Sequence, residues 1–189
     1  MNNTLYDQLI ELTRIPDAKS KWKDYREEIT RLVIEECHGG TLLVVGAGEC
    51  NDIDIEKLSK HFSKITLLDR RYAEHNLIDE RNEKVNKHDN VTTVSEDLLG
   101  ISDDSYRELC SSCQEYIAFN MNRFSMEAFA DRYMSLIDKM YTSAEPIKSI
   151  KKSEYDNVIC IGVHSQINNM LAWIWDAYES ALGQRDARV

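Results

Sequence analysis

The sequence predicts an α/β fold built on a parallel sheet, on three observations. A hydrophobic run, Thr41-Leu-Leu-Val-Val45, enters Gly46-Ala47-Gly48 and then a helix start. A second apolar run, Ile65-Thr-Leu-Leu68, ends in Asp69. From Thr41 onward strands and helices alternate, the pattern of a parallel sheet covered on both faces. Glycine lets the chain turn sharply and brings main-chain N–H groups close to a ligand, while the following helix presents unpaired amides and a partial positive charge. The loop therefore reads as the holder of a nucleotide-type cofactor, with Asp69 placed to accept hydrogen bonds from ribose hydroxyls.

The elements follow in order. Leu5, Leu9 and Leu12 recur at helical spacing before Pro16 interrupts; Trp22, Tyr25, Ile29, Leu32, Val33 and Glu36 keep the same period until Gly39-Gly40 stops the helix. Residues 1–40 thus form an N-terminal helical cap, either packed on the sheet or serving as a lid or substrate wall. Strand one is expected at 41–46, and the next helix near Asp52, capped by Asn51 or Asp52, with Ile55, Leu58 and Phe62 as its buried stripe. Strand two is expected at 64–69, followed by a helical stretch over 71–82 carrying Tyr72, Leu77 and Ile78. The β-branched run Val91-Thr-Thr-Val-Ser95 is strand three, ending at Glu96-Asp97-Leu98.

The span from Asp97 to Asp156 is far longer than the dozen or so residues a crossover helix requires. It predicts a helical insertion over about 103–150. Its two amphipathic helices run from about Asp104 to Asn120 (Tyr106, Leu109, Cys110, Cys113, Ile117) and from about Ser125 to Tyr141 (Phe129, Tyr133, Leu136, Ile137, Met140). After a turn around Pro146, Asp156-Asn-Val-Ile-Cys-Ile161 is strand four, Gly162-Val-His-Ser-Gln166 its loop, and 166–182 the last helix.

Composition narrows the function. With 42% hydrophobic residues the 189-residue chain builds a sizeable core, and residues 41–189 are expected as one domain behind the cap. A formal charge of -10, from 33 acidic and 23 basic residues, argues against a phosphate-backbone partner, so no nucleic acid is expected. Arg70-Arg71 and the Lys148, Lys151, Lys152 run read as solvated surface. Five cysteines at irregular spacing, no secretory leader and no apolar run near the roughly 18 residues a membrane span needs predict a reduced, cytoplasmic protein without a membrane partner.

The order of these motifs resembles the class I S-adenosylmethionine-dependent methyltransferases. Their Rossmann-like domain puts a Gly-rich loop after strand one, an acid after strand two and an Asp-containing turn after strand three. Gly46-Ala47-Gly48 matches the first two glycines of that loop, Asp69 the ribose-binding acid, and Glu96-Asp97-Leu98 the turn whose acid approaches the adenine amino group; Gly162-Val163-His164-Ser165 falls where the family's loop faces methyl group and substrate. The likeness covers about residues 41–182. It implies a sheet of order 3-2-1-4, S-adenosylmethionine as cofactor, and Gly46, Ala47, Gly48, Glu49, Asp69, Arg70, Asp97, Leu98 and Gly162 around it.

The chain also departs from the pattern. Cys50 replaces the third glycine, Val44 the acid two residues before the first, and no Asn/Asp-Pro-Pro-aromatic motif follows strand four, against an adenine- or glutamine-amide methylating subgroup. The family's sheet has seven strands, and beyond Leu182 only Gly183 to Val189 remain. The chain is thus either a fragment or a reduced variant that covers its exposed fourth strand with its own helices or with another subunit, a possible homo-oligomer contact.

Rival chemistry is weaker. A dinucleotide fingerprint needs a glycine where Asn51 stands, and no Lys-Ser or Lys-Thr follows the glycines, which excludes the nucleoside-triphosphate loop. Cys110-Ser-Ser-Cys113 has redox or half-metal spacing, but on a helix the two thiols share a face and pack, and no metal site is expected. Cys50 lies within the cofactor loop and is expected to pack beside the ligand. His164 is the candidate catalytic residue: an imidazole facing the methyl donor accepts a proton from a hydroxyl or amine, although it can equally orient substrate. Methyl transfer asks mainly for alignment and exclusion of water, because the sulfonium is already activated. The expected function is methylation of a small molecule on O or N. The alternative is a non-catalytic or truncated cofactor-binding or interaction domain that associates through the open edge.

Overall fold

The computed structural model describes residues 4–12, 15–73, 87–145, 147–148, 150–151, 154–163 and 169–186. It divides into two compact units. One comprises Pro16–Gly100 and Pro146–Ser165; the other Met1–Ile15, Ile101–Glu145 and Gln166–Val189. The first forty residues are therefore shared: 1–15 group with the helices of 101–145 and the last helix, and 16–40 with the sheet.

The sheet unit holds four strands, β1 (Thr41–Val45), β2 (Lys64–Leu68), β3 (Val91–Val94) and β4 (Asn157–Cys160), in the order β3-β2-β1-β4. All three pairings are parallel, with Leu43 level with Thr66 and Val158, and Val45 with Leu68 and Cys160. The order and the α/β class agree with the sequence prediction. Successive side chains point to opposite faces. Leu42, Val44, Ile65, Leu67 and Val91 form one face and pack with Val33 of α3 (Lys23–Glu36) and Leu58 of α4 (Ile55–His61). Leu43, Val45 and Leu68 form the other, with Ile147, Ile150 and Tyr155 against it. Four consecutive buried residues in β1 and in β2 mark the two inner strands, buried on both sides. In β4 burial alternates and Val158 is 53% exposed, as befits an outer strand.

Polar side chains fix the ends of this unit. Asp156 Oδ2 accepts from Gly40 N–H, Thr41 N–H and Thr41 Oγ1, each at 2.9 Å, while Asp156 N–H donates back to Thr41 Oγ1 at 2.7 Å. The starts of β1 and β4 are thereby locked in register. A reciprocal pair does the same one residue on, where Asn157 Nδ2 donates to His38 O and His38 N–H to Asn157 Oδ1. Asn90 Nδ2 donates to the carbonyls of Ser59 and Phe62 at the end of α4.

Three expectations are corrected. The helix after the glycine loop starts at Ile55 rather than near Asp52, because Asp54 is its N-cap and accepts from Lys57 N–H at 3.1 Å. In α3 the inward residues include Thr30, 1% exposed, whose hydroxyl accepts from Asp54 N–H at 2.9 Å, whereas Tyr25 and Leu32 face outward. In α1 (Leu5–Leu12) the buried anchor is Tyr6, and Leu12 is 79% exposed. Between α1 and α3 lies one short helix, α2 (Ala18–Lys21). Residues 70–73 form a single 3-10 turn, and the rest of the helical stretch expected to 82 lies outside the described residues.

The helical unit packs α1 with α5 (Asp103–Phe119), α6 (Met126–Thr142) and α7 (Asn169–Asp186). Ser102 and Ser125 cap α5 and α6 by accepting from Ser105 N–H and Ala128 N–H. Phe129, fully buried, is ringed by Tyr116, Phe124, Tyr133, Trp175 and Tyr178 at centroid distances of 5.6 to 6.4 Å. The tyrosine hydroxyls among these helices find main-chain acceptors: Tyr133 donates to Leu171 O at 2.6 Å and Tyr178 to Cys110 O at 2.9 Å. Tyr6 stacks on Tyr106 at 5.0 Å and donates to Asp103, and Arg107 binds Asp7 at 3.0 Å, which docks α1 on α5. No helix of the described residues is long and apolar enough to cross a membrane.

Candidate functional site

The loop after β1 has the backbone its glycines predict. Gly46 (φ +74°), Gly48 (φ +49°) and Cys50 (φ +53°) all lie in the left-handed region, which only glycine enters without strain. Cys50 therefore adopts, at some cost, a conformation that glycine takes without strain. Gly46 is also sterically required: a Cβ there would stand 2.1 Å from Val163 Cγ2 and 2.9 Å from Ile161 O, the chain leaving β4.

The loop's amides are mostly satisfied from within. Gly46 and Ala47 N–H both donate to Leu68 O, at 2.9 and 3.2 Å, and Cys50 N–H donates to Ala47 O at 2.8 Å. Gly48 N–H donates to Asp69 Oδ2 at 2.9 Å. This last bond draws the acid at the end of β2 to the glycine loop, as one ligand touching both requires. The same pattern disfavours a pyrophosphate, which needs several loop amides pointing outward. The helix that follows starts only at Ile55, and its N-terminus is taken by its own Asp54.

The other predicted residues take these places. Arg70 opens the 3-10 turn after β2, and its carbonyl accepts from Ser95 Oγ at 3.1 Å. Asp97 closes its own turn, with Oδ1 accepting from Leu99 N–H at 2.8 Å and its carbonyl from Gly100 N–H at 3.1 Å. Leu98 is partly exposed, and Gly162 has φ +69° just beyond β4. His164 lies outside the described residues, as do Ser165 and Gln166.

A cavity of about 350 Å³ opens beside the loop, a size suited to a small molecule. Gly48, Glu49, Cys50, Ile53 and Tyr72 line it on the loop side, and basic (Lys19, Arg26, Lys87, His88) and acidic (Asp54, Glu56) side chains both contribute to its polar lining. Of the predicted cofactor residues only Gly48 and Glu49 reach it. Sequence reasoning missed Lys19, Arg26, Lys87 and His88, for on a helix surface or a turn a basic residue carries no signal of what it faces. Arg26 ties α3 to the loop, because its Nη1 donates to Lys19 O at 2.8 Å and to Asn51 O at 3.0 Å. Burial pushes the Asp52 carboxyl above the usual range, and the Arg26 charge offsets this in part.

In the helical unit, Cys110 and Cys113 are both fully buried, and burial pushes their thiols up to about 11 and about 12. Such thiols stay protonated and serve as packing rather than redox chemistry. None of the five cysteines is in a disulfide. Among the described residues no group of three or more His, Cys, Asp or Glu is arranged to hold a metal ion. Comparison of the chain with protein-family models, curated proteins and solved structures found no match.

Proposed function

We propose that the protein is a cytoplasmic S-adenosylmethionine-dependent methyltransferase acting on a small molecule. The observation that carries this reading is the hydrogen bond from Gly48 N–H to Asp69, which joins the strongly turned glycine loop and the acid after the second strand in a single site. A parallel sheet of order 3-2-1-4 sets both at the carboxyl ends of adjacent inner strands, where ligands of open α/β sheets bind. The internally bonded loop favours a ligand without phosphates, and S-adenosylmethionine has none.

When bound, S-adenosylmethionine supplies a methyl group already activated by its sulfonium. The chain's own part is to bind and orient. Asp69 would accept from the ribose hydroxyls, the turn at Asp97-Leu98 would border the adenine, and the backbone at Gly46-Ala47-Gly48-Glu49 and Gly162, with Arg70 beside Asp69, would shape the opening. His164 would receive the proton that the acceptor's hydroxyl or amine releases.

Calorimetric titration tests the reading. Wild-type protein should bind S-adenosylmethionine and S-adenosylhomocysteine. Asp69→Ala should weaken both by at least about tenfold, or about 1.4 kcal/mol. No heat with the wild-type protein, or equal affinity in the variant, would sink it.

A further inference from the structure

We propose that the outer edge of β4 is a docking surface for a second copy of this chain, which pairs with it as an antiparallel strand about a two-fold axis. The inference stands apart from the methyl-transfer reading. It starts from where the backbone of β4 points. Ile161 N–H donates to Val45 O, and β4 runs parallel to β1 with Val44 level with Ile159, so every second residue of the strand turns its N–H and C=O towards β1. Asn157 and Ile159 do so, and Val158 and Cys160 turn theirs outward. The sheet ends at β4, and among the described residues nothing hydrogen-bonds the outward groups of these two. Both side chains are exposed, Val158 to 53%.

Nothing in the strand guards this edge. Residues 157–163, Asn-Val-Ile-Cys-Ile-Gly-Val, carry no charge and no proline, whereas edges that stay single are blunted by lysine, proline or a bulge. The edge calls for a strand with donors and acceptors at its own spacing, and its own image supplies them. Turned about a two-fold axis at Ile159, Val158 of one copy lies opposite Cys160 of the other, and the two symmetric pairs each exchange two N–H···O=C bonds. The same register sets Asp156 opposite Gly162, so no acid meets an acid. A chain with a net charge of -10 repels itself elsewhere, and an uncharged edge is where two copies can approach. The two four-stranded sheets then join into one. Because each strand has only 4 residues, the contact is small and the dimer is weak, with a Kd between about 10 μM and 1 mM.

Sedimentation velocity on the full chain, from about 10 μM to about 1 mM, is the test. Wild type should pass from monomer to dimer across that range. Val158→Pro should stay monomeric throughout, and its own fold should hold, because the ring replaces an N–H that faces away from β1. If thermal melting shows that proline unfolds the chain, Val158→Lys decides: at an exposed position it adds a charge to the edge and should weaken the dimer at least about tenfold. The register is read from Val158→Cys in oxidised glutathione, which should give a disulfide-linked dimer whose peptide map joins position 158 of one copy to Cys160 of the other. A wild type still monomeric at about 1 mM, a dimer that persists unchanged in Val158→Lys or in folded Val158→Pro, or a cross-link that fails to form or maps elsewhere would overturn the proposal.

Discussion

The sheet unit and the helical unit solve the same problem with different residues. In the sheet unit the core is aliphatic, Leu42, Val44, Ile65 and Leu67 with Val33 and Leu58, and polar groups gather at strand ends, where Asp156 and Asn157 lock the register. In the helical unit the core is aromatic and partly polar: Phe129 sits among tyrosines whose hydroxyls reach carbonyls on neighbouring helices. Parallel strands already satisfy their backbones laterally, so branched aliphatics suffice to fill the layers. Helices satisfy only themselves, and a buried tyrosine that bonds a neighbour's carbonyl fixes how two of them meet, besides contributing apolar area.

The contrast can be broken by substitutions that strike one unit at a time, read by hydrogen exchange along the chain. Phe129→Ala should have the largest effect, a loss of about 3–5 kcal/mol, because the cavity it leaves is walled by rings that cannot all collapse inward. Protection should fall in α5, α6 and α7 and persist in β1 and β2. Equal loss in both would mean that the molecule unfolds as one body.

Gly46→Ala addresses the other unit. The left-handed φ and the clash with Val163 and Ile161 together should cost about 2–4 kcal/mol, felt first in β1 and β4. A stable variant with an unchanged urea midpoint would show that the loop adapts more readily than its close contacts imply.

The smallest effect sharpens the role of the register lock. Hydrogen bonds from Thr41 N–H, Thr41 Oγ1 and Gly40 N–H hold the Asp156 carboxyl below its usual range. A carboxylate with a lowered native pKa stabilises the fold fully above its unfolded pKa and loses that contribution as pH falls through the native value. Wild type should therefore exceed Asp156→Asn in urea midpoint at about pH 7, with the gap closing below about pH 4. A gap that does not change with pH would remove the carboxylate's charge from the account.

The sheet is largely legible in the sequence because inner parallel strands are continuous apolar runs bounded by turns, and Thr41–Val45 and Lys64–Leu68 are such runs. The long helices of 103–119 and 126–142 are legible to within a residue or so from their apolar stripes. The identity of inward residues in weaker stripes is not. In α1 leucine spacing points to Leu12, but Tyr6 wins because its ring stacks on Tyr106 while its hydroxyl reaches Asp103. Thr30 is polar and adds nothing to an apolar stripe, yet its hydroxyl is satisfied in the interior by Asp54 N–H. The sequence offers Asn51 or Asp52 as the cap of the next helix, but the chain turns helical only at Ile55 and Asp54 takes that role. At the candidate site, the strand-end residues follow from the motif pattern, whereas the meeting of Lys19, Arg26 and Lys87 around one cavity depends on which turns come together in space.

The division of the chain bears on inheritance. The backbone passes between the two units at Ile15, Gly100, Glu145 and Ser165, so each unit is stitched from separate stretches. No single crossover in the gene can duplicate, delete or transplant one unit while sparing the other. Recombination therefore moves the two together, and only point changes can alter one alone.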